Sequence, residues 1–168
     1  MRIGILGAGA MGSLFGGYLS QFNDVWLVDI DPGRIDEIRN GGIAIRERDG
    51  VRVFRPNAAL DVSGLDPMDL LMVFVKAMQS SEALGKNRHL IGARTYLMSL
   101  QNGAGHEETL AAFAPHNRLI LGTTQHNASR TVSGEIHHGG GGDTYIGFPD
   151  ANGTALEAIA ATFCRCGI

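Results

Sequence analysis

The stretch R-I-G-I-L-G-A-G-A-M-G, Arg2 to Gly12, decides the fold. An apolar run of strand type ends on Gly7, after which Met11, Leu14, Phe15, Tyr18 and Leu19 recur at helical spacing as far as Gln21. Strand, tight turn and helix therefore follow one another, with Gly7-Ala8-Gly9-Ala10-Met11-Gly12 as a G-x-G-x-x-G at the junction. Gly7 suits the tight turn, Gly9 leaves space for a pyrophosphate against the backbone, and Gly12 lets the helix lie close on the strand. The free amides of the first helical turn and the positive end of the helix dipole then face the anion. A glycine turn kept for packing alone is the competing reading. The register of strand, turn, helix and second strand weighs against it.

Moving outward, Asp24 to Ile30 (D-V-W-L-V-D-I) is rich in β-branched and aromatic residues and reads as the second strand. Asp31-Pro32 then pairs a cap residue with proline at the first helical position, so a second helix runs to about Asn40 and ends at Gly41. Asp29 stands 22 residues after Gly7, where a carboxylate accepts the hydroxyls of an adenosine ribose and repels a 2′-phosphate. That favours NAD(H) over NADP(H) within an NAD(P)H site. Asp31, assigned to the helix cap, adds to the negative field. Arg34 is the nearby cation with the reach to meet a 2′-phosphate.

Beyond this unit, Ile43 to Arg55 around Asp49-Gly50 reads as an antiparallel hairpin, and Leu70 to Val75 as a strand buried on both faces, stopping at Lys76. A helix from about Ser80 to Ile91, a strand Thr95 to Leu100, a helix Glu107 to Phe113 and a strand Leu119 to Thr123 continue the alternation. Glu135 to His138 with Thr144 to Phe148 reads as a second hairpin around Gly139 to Gly142, and a last helix covers about Thr154 to Cys166. The expected fold is α/β, a doubly wound, mainly parallel sheet of Rossmann type with an added antiparallel hairpin, in a single dinucleotide-binding domain over residues 1–168.

Composition narrows the partners. With 44% hydrophobic residues, 18% charged residues and a net charge of -3, the chain has no bulk field for nucleic acid or anionic membrane. No apolar run nears the roughly 20 residues needed to cross a bilayer, and the start does not look like a signal peptide. Cys164 and Cys166, the only cysteines, make no disulfide framework. A cytoplasmic location and a small-molecule partner are expected. The four arginines of the first hairpin, Arg46, Arg48, Arg52 and Arg55, alternate with Glu47 and Asp49 and read as a solvated face rather than an anion patch.

Two further residues sit where open α/β sheets bind ligands. Lys76 follows a dry strand and Asn102 holds the equivalent place on the next one, so both are expected at one crevice. Taken singly, the lysine can mark a strand reaching water and Asn102-Gly103 can be a turn. Gly7, Ala8, Gly9, Ala10, Met11, Gly12, Asp29, Lys76 and Asn102 make up the candidate cofactor site. No metal site is read: His137 and His138 are adjacent on a strand and point to opposite faces. His126 in G-T-T-Q-H-N-A is a weaker candidate for the crevice, and Gly139 to Gly142 reads as a hairpin tip.

With these residues in view the chain resembles the N-terminal domain of the ketopantoate reductase (2-dehydropantoate 2-reductase) family over nearly its whole length. R-I-G-I-L-G-A-G-A-M-G, V-F-V-K-A at Val73 to Ala77, Q-N-G-A-G at Gln101 to Gly105, and L-G-T-T-Q-H-N-A with H-H-G-G-G-G-D-T-Y-I-G carry the likeness. The resemblance implies reduction of a 2-keto acid by hydride from a nicotinamide, with ketopantoate to pantoate in coenzyme A biosynthesis leading. Lys76 and Asn102 match family positions at the cofactor and substrate crevice and are the candidate catalytic residues. The family's general acid and its substrate-holding glutamate come from a helical C-terminal domain. That domain is absent from these 168 residues, so a fragment or a shortened gene product is expected, binding dinucleotide but turning over little substrate. The missing domain, or a second copy in a homodimer, is the expected protein partner. Asp29 departs from the basic residue of many NADPH-dependent members and suits NAD-dependent D-2-hydroxyacid dehydrogenases of the mandelate type. A non-catalytic dinucleotide-sensing module is the alternative from another class.

Overall fold

A computed structural model of the chain describes residues 1–148 and 153–168. The elements run β1 (Arg2–Leu6), α1 (Ala10–Leu19), β2 (Asp24–Val28), α2 (Pro32–Gly41), β3 (Ile43–Glu47), β4 (Gly50–Phe54), β5 (Asn57–Ala59) and β6 (Leu70–Val73). They continue with α3 (Ser80–Lys86), β7 (Tyr96–Ser99), α4 (His106–Ala111), β8 (Leu119–Thr124), β9 (Asn127–Arg130), β10 (Ile136–Gly140), β11 (Thr144–Gly147) and α5 (Gly153–Cys166). The main sheet has the order β11-β8-β7-β6-β1-β2-β5, parallel throughout except for β11, which runs against β8. From β1 the chain winds outward to β2 and β5, then returns to β6 on the other side of β1 and winds away again. The reversal places the switch point between β1 and β6, where the helices following the two strands leave a crevice.

The alternating apolar pattern of the central strands fixes which side chains face which layer. Leu70 and Met72 of β6 join Ile3, Ile5, Leu27, Met98 and Ile120 in one core with Leu14, Phe15 and Tyr18 of α1 and with Ile159 and Phe163 of α5. Leu71 and Val73 face the other way, with Leu6, Val28, Leu97 and Leu119, against Leu84 of α3 and Leu110 of α4. Each fully buried Leu or Ile contributes about 1.5–3 kcal/mol of transfer free energy. A strand polar on one face would forfeit half of that layer.

A second, four-stranded sheet, β4-β3-β10-β9, lies across α1. The first expected hairpin is its β3–β4 pair, in register Ile43 to Phe54 through Glu47 to Gly50. The second is corrected. β10 pairs antiparallel with β9 and parallel with β3, while β11 crosses to the edge of the main sheet, so the two strands never meet as a hairpin. Ile136 sits opposite Ile45 and is fully buried, which holds β10 to the second sheet, while Gly139 and Gly140 end that strand and Gly141 to Asp143 carry the chain to the main sheet. β5 and β9 escape a periodicity reading, the first because it is three residues long and the second because N-A-S-R has no alternation to find. Two of the four hairpin arginines are paired at the surface: Arg46 forks onto Glu135, and Arg52 lies over the Phe54 ring and near Glu47.

Polar contacts lock the second sheet to α1. The Tyr18 hydroxyl donates to Glu47 Oε1 and lies 2.9 Å from His138 Nδ1, and His138 Nε2 is 3.1 Å from His126 Nδ1. With the phenolic proton on Glu47, the string runs in one direction: His138 Nδ1–H donates to Tyr18 and His126 Nδ1–H donates to His138. Burial, aided by the Glu47 carboxylate, holds the Tyr18 phenol well above its ordinary range, so it remains a neutral donor. His126 stands edge-on to Phe15, and burial, with His138 adding to it, lowers its pKa from the ordinary 6.5. The folded protein therefore disfavours a proton that the unfolded chain accepts, and this contribution to stability is present above 6.5 and lost as pH falls through the lowered value. The melting temperature should drop as pH is taken from about 7.5 to about 5, and His126→Gln, which keeps a donor toward His138 without a titrating ring, should lessen the drop. Calorimetric melts across that range check it. Equal slopes for the two proteins would remove His126 as the cause.

Candidate functional site

Four parallel strands, β1, β2, β5 and β6, end on one cleft of about 470 Å³, within the range of small-molecule sites. Gly7 and Gly9 form its floor, Asp29 and Ile30 follow β2, Leu60 to Ser63 follow β5, and Phe74 to Lys76 follow β6, with α3 as the far wall. The strand ladders are extended into this region by Gly7 N–H to the Val28 carbonyl and Phe74 N–H to the Leu6 carbonyl, both 2.8 Å, which brings the three loops close together. A shallower depression lies at the opposite, amino-terminal ends of β1, β2 and β6, lined by Met1, Arg2, residues 20–24 and Asp69. It holds neither a glycine loop nor a helix start.

The glycine loop shows why each glycine is there. Gly7 has φ +103°, and a Cβ on it would come within 2.9 Å of the Phe74–Val75 backbone. A Cβ on Gly12 would strike the Gly7 carbonyl, so α1 sits directly on the turn. Gly9 is different. Its φ of -66° and ψ of -168° are open to any residue, and a Cβ there meets no protein atom within 4 Å. Nothing inside the protein calls for glycine at this position, and the free volume lies in the cleft. The start of α1 has no side-chain cap and no acidic residue in its first turn, which leaves its amides for an anion. A pyrophosphate fits this cradle.

Asp29 lies at the mouth of the same loop and lines the cleft. Its Oδ2 accepts the Ala8 N–H at 2.6 Å and its Oδ1 accepts the Asp31 N–H at 3.1 Å, leaving further lone pairs on both oxygens. Asp31 caps α2, accepting from Gly33 and Arg34 amides as expected. Arg34 is not free to swing outward. Only 4% exposed, it is bound to Ala8, Ser13, Glu37 and Gly134 and does not line the cleft.

Lys76 lines the cleft and is exposed, three residues past the end of β6, at the start of a short 3-10 turn. Asn102 lies on the neighbouring loop, outside the lining of this cleft, with its carbonyl oxygen 3.1 Å from His106 Nε2. Flanking residues Gln101 and Gly103 border a smaller hollow of about 270 Å³ beside α4. Sequence reasoning passed over Gln101, which ties the two loops: its Nε2 donates to the Val75 carbonyl and its Oε1 accepts from Ser99 and Ser80. His126 packs under α1 against Phe15 and is not part of the cleft. Among the described residues, no group of three or more His, Cys, Asp or Glu is placed to hold a metal, and no helix is long and apolar enough to cross a membrane.

Residues 3–151 match the family described as ketopantoate reductase PanE/ApbA. The 2-dehydropantoate 2-reductase of Halobacterium salinarum is 36% identical over 172 residues, covering all of this chain and 56% of that protein. The protein of the same name from Pyrococcus horikoshii is 34% identical, with 100% and 54% covered. Among solved structures, 2-dehydropantoate 2-reductase from Geobacter metallireducens superposes with a TM-score of 0.89 at 30% identity, over 100% of this chain and 56% of that one. D-mandelate dehydrogenase, in a ternary structure with NADH and anilino(oxo)acetate, reaches 0.91 at 30%, over 99% and 55%. The chain spans about half the length of these relatives. Its sequence match and its glycine loop, cleft and sheet order place it in one group: the chain belongs to the ketopantoate reductase family.

Proposed function

We propose that this chain is the cofactor-binding portion of an NAD(P)H-dependent 2-keto acid reductase, with 2-dehydropantoate to pantoate as the leading reaction and the cytoplasm as its site. The observation that carries the reading is the Gly7–Gly12 turn, whose one unforced glycine, Gly9, opens into the cleft beside Asp29. The amides of Gly9 and the first turn of α1 would hold the pyrophosphate of a bound dinucleotide, and the Asp29 carboxylate would accept the adenosine ribose hydroxyls. Ile30, 80% exposed, and Leu60, 47% exposed, offer aliphatic surface at the rim for the adenine ring. When bound, the nicotinamide supplies hydride to the keto carbon. Lys76 draws an anion, cofactor phosphate or substrate carboxylate, toward the switch point, and the Asn102 amide orients substrate or the nicotinamide ribose from the next loop. No residue of this chain is assigned as the proton donor.

NAD(H) is the favoured cofactor. Asp29 places a carboxylate where a 2′-phosphate would sit, and Arg34, the cation best placed to offset it, is held behind the loop by its own hydrogen bonds. The same feature supports a second reading, a D-2-hydroxyacid dehydrogenase of the mandelate type, since the D-mandelate dehydrogenase that this fold overlays was solved with NADH. A panel of 2-keto acids assayed with each nicotinamide cofactor separates the two.

Gly9→Ala should fold with an unchanged melting temperature, because the added methyl meets no protein atom within 4 Å. It should nevertheless weaken NADH binding by at least about tenfold by standing where the pyrophosphate lies. Titration calorimetry measures this, and undiminished affinity would place the cofactor elsewhere. Wild-type protein should bind NADH more tightly than NADPH. Asp29→Asn keeps an acceptor for the Ala8 amide but removes the charge, and should narrow the NADH-to-NADPH ratio by about tenfold, the equivalent of roughly 1.4 kcal/mol for one charged hydrogen bond. Tighter NADPH binding by the wild type would show that the acidic residue does not select the cofactor.

A further inference from the structure

Arg34 is nearly buried, yet it touches no part of the cleft, and every nitrogen of its guanidinium is used. Nε donates to the Ala8 carbonyl at 3.1 Å, Nη2 to Ser13 Oγ at 2.8 Å, and Nη1 to both Glu37 Oε2 at 3.0 Å and the Gly134 carbonyl at 3.3 Å. Ser13, itself fully buried, donates its hydroxyl hydrogen bond to the same Ala8 carbonyl at 2.9 Å. The Ala8 residue is thus gripped from two sides: its N–H by Asp29, its C=O by Arg34 and Ser13. Fixing that carbonyl fixes the plane of the Ala8–Gly9 peptide, and so the direction in which the Gly9 N–H and the following amides point. The grip extends to the second sheet, because Gly134 belongs to the turn between β9 and β10 and Glu37 also accepts from Arg130 of β9 at 2.8 Å.

We propose that Arg34 is a positioning residue for dinucleotide binding, acting through the Ala8 carbonyl and not by contact with the ligand. The proposal rests on the placement of the pyrophosphate at Gly9 argued above. Burial lowers the Arg34 pKa, partly countered by Glu37, and the group still enters as a cation whose charge is taken up behind the loop and not offered to the cofactor. A residue acting this way controls the pyrophosphate half of the ligand. It leaves the adenosine half, held by Asp29 and the cleft rim, nearly untouched.

The full 168-residue chain is titrated with NADH, ADP-ribose and 5′-AMP, the last having no pyrophosphate, by calorimetry and by NMR for the weaker ligand. Arg34→Lys retains a cation but not the fork geometry, and should raise the Kd for NADH and ADP-ribose about tenfold while changing that for 5′-AMP less than about twofold. Ser13→Ala, a smaller change that removes one of the two donors to Ala8, should give the same pattern at about threefold, and it serves if the lysine variant does not fold. Equal loss for all three ligands, or no loss in a folded variant, overturns the proposal. Failure of the wild type itself to bind NADH or ADP-ribose would instead overturn the placement of the cofactor.

Discussion

The 2.6 Å hydrogen bond from the Ala8 amide to the Asp29 carboxylate is the contact on which the site depends. It joins the turn after β1 to the end of β2, so the glycine loop and the Asp29 carboxylate are held together at the cleft. A charge-assisted bond of this length contributes about twice what a neutral one does. It is also possible only because the two strands are parallel neighbours in register, Leu6 beside Val28, which brings their carboxyl ends to one level. The parallel order in turn requires the crossover helix α1 between them, and α1 can lie on the turn only because Gly12 carries no side chain. Sheet order, helix packing and site chemistry are therefore one constraint seen at three scales.

The helix that results is intrinsically weak. Ala10–Leu19 contains Gly12, Gly16 and Gly17, each costing about 1 kcal/mol relative to alanine in a helix interior. What offsets that cost is burial on nearly every side. Leu14, Phe15, Tyr18 and Leu19 are at most 4% exposed, enclosed by the main sheet, α5 and the second sheet. Apolar packing of this kind does not by itself fix a helix along its axis. The directional ties do: Tyr18 to Glu47 and His138 at one end, Ser13 to Ala8 and Arg34 nearer the other. The second sheet thus steadies the glycine loop, although it contributes nothing to the cleft.

Much of this is written in local sequence, and the parts that are not share a cause. The glycine loop, Asp29, the Asp31 cap and the two-faced strand Leu70–Val73 are legible because each depends on residues within one turn or one strand. The partner of β10 is not. H-H-G-G-G-G-D-T-Y-I-G looks like a hairpin until Ile136 finds Ile45, 91 positions away, and no pattern within the segment records that pairing. Gln101 is hidden for a related reason, since its worth lies in reaching the Val75 carbonyl at the end of the neighbouring strand while the adjacent Asn102 takes the candidate role. Arg34 did leave a trace. One turn before Ile38 and next to Ile35, it occupies the apolar face of α2, and a cation on such a face calls for buried acceptors.

That trace bears on how one scaffold serves different dehydrogenases. The relatives overlaid here include proteins named for 2-dehydropantoate and one named for D-mandelate, and all share the half of the fold described by this chain. The atoms that grip Ala8 come from a serine, an aspartate and a buried arginine, none of which has a reason to sense a substrate side chain. Exposed residues on the rim, Ile30, Leu60 and Lys76, are free of such ties and can vary without loosening the loop. In this arrangement the buried cation holds the Ala8 carbonyl from behind the loop, while the Asp29 carboxylate stands at the cleft mouth. Had Arg34 faced the cleft, its charge would have stood beside Asp29, and the Ala8 carbonyl would have lost one of its two side-chain donors.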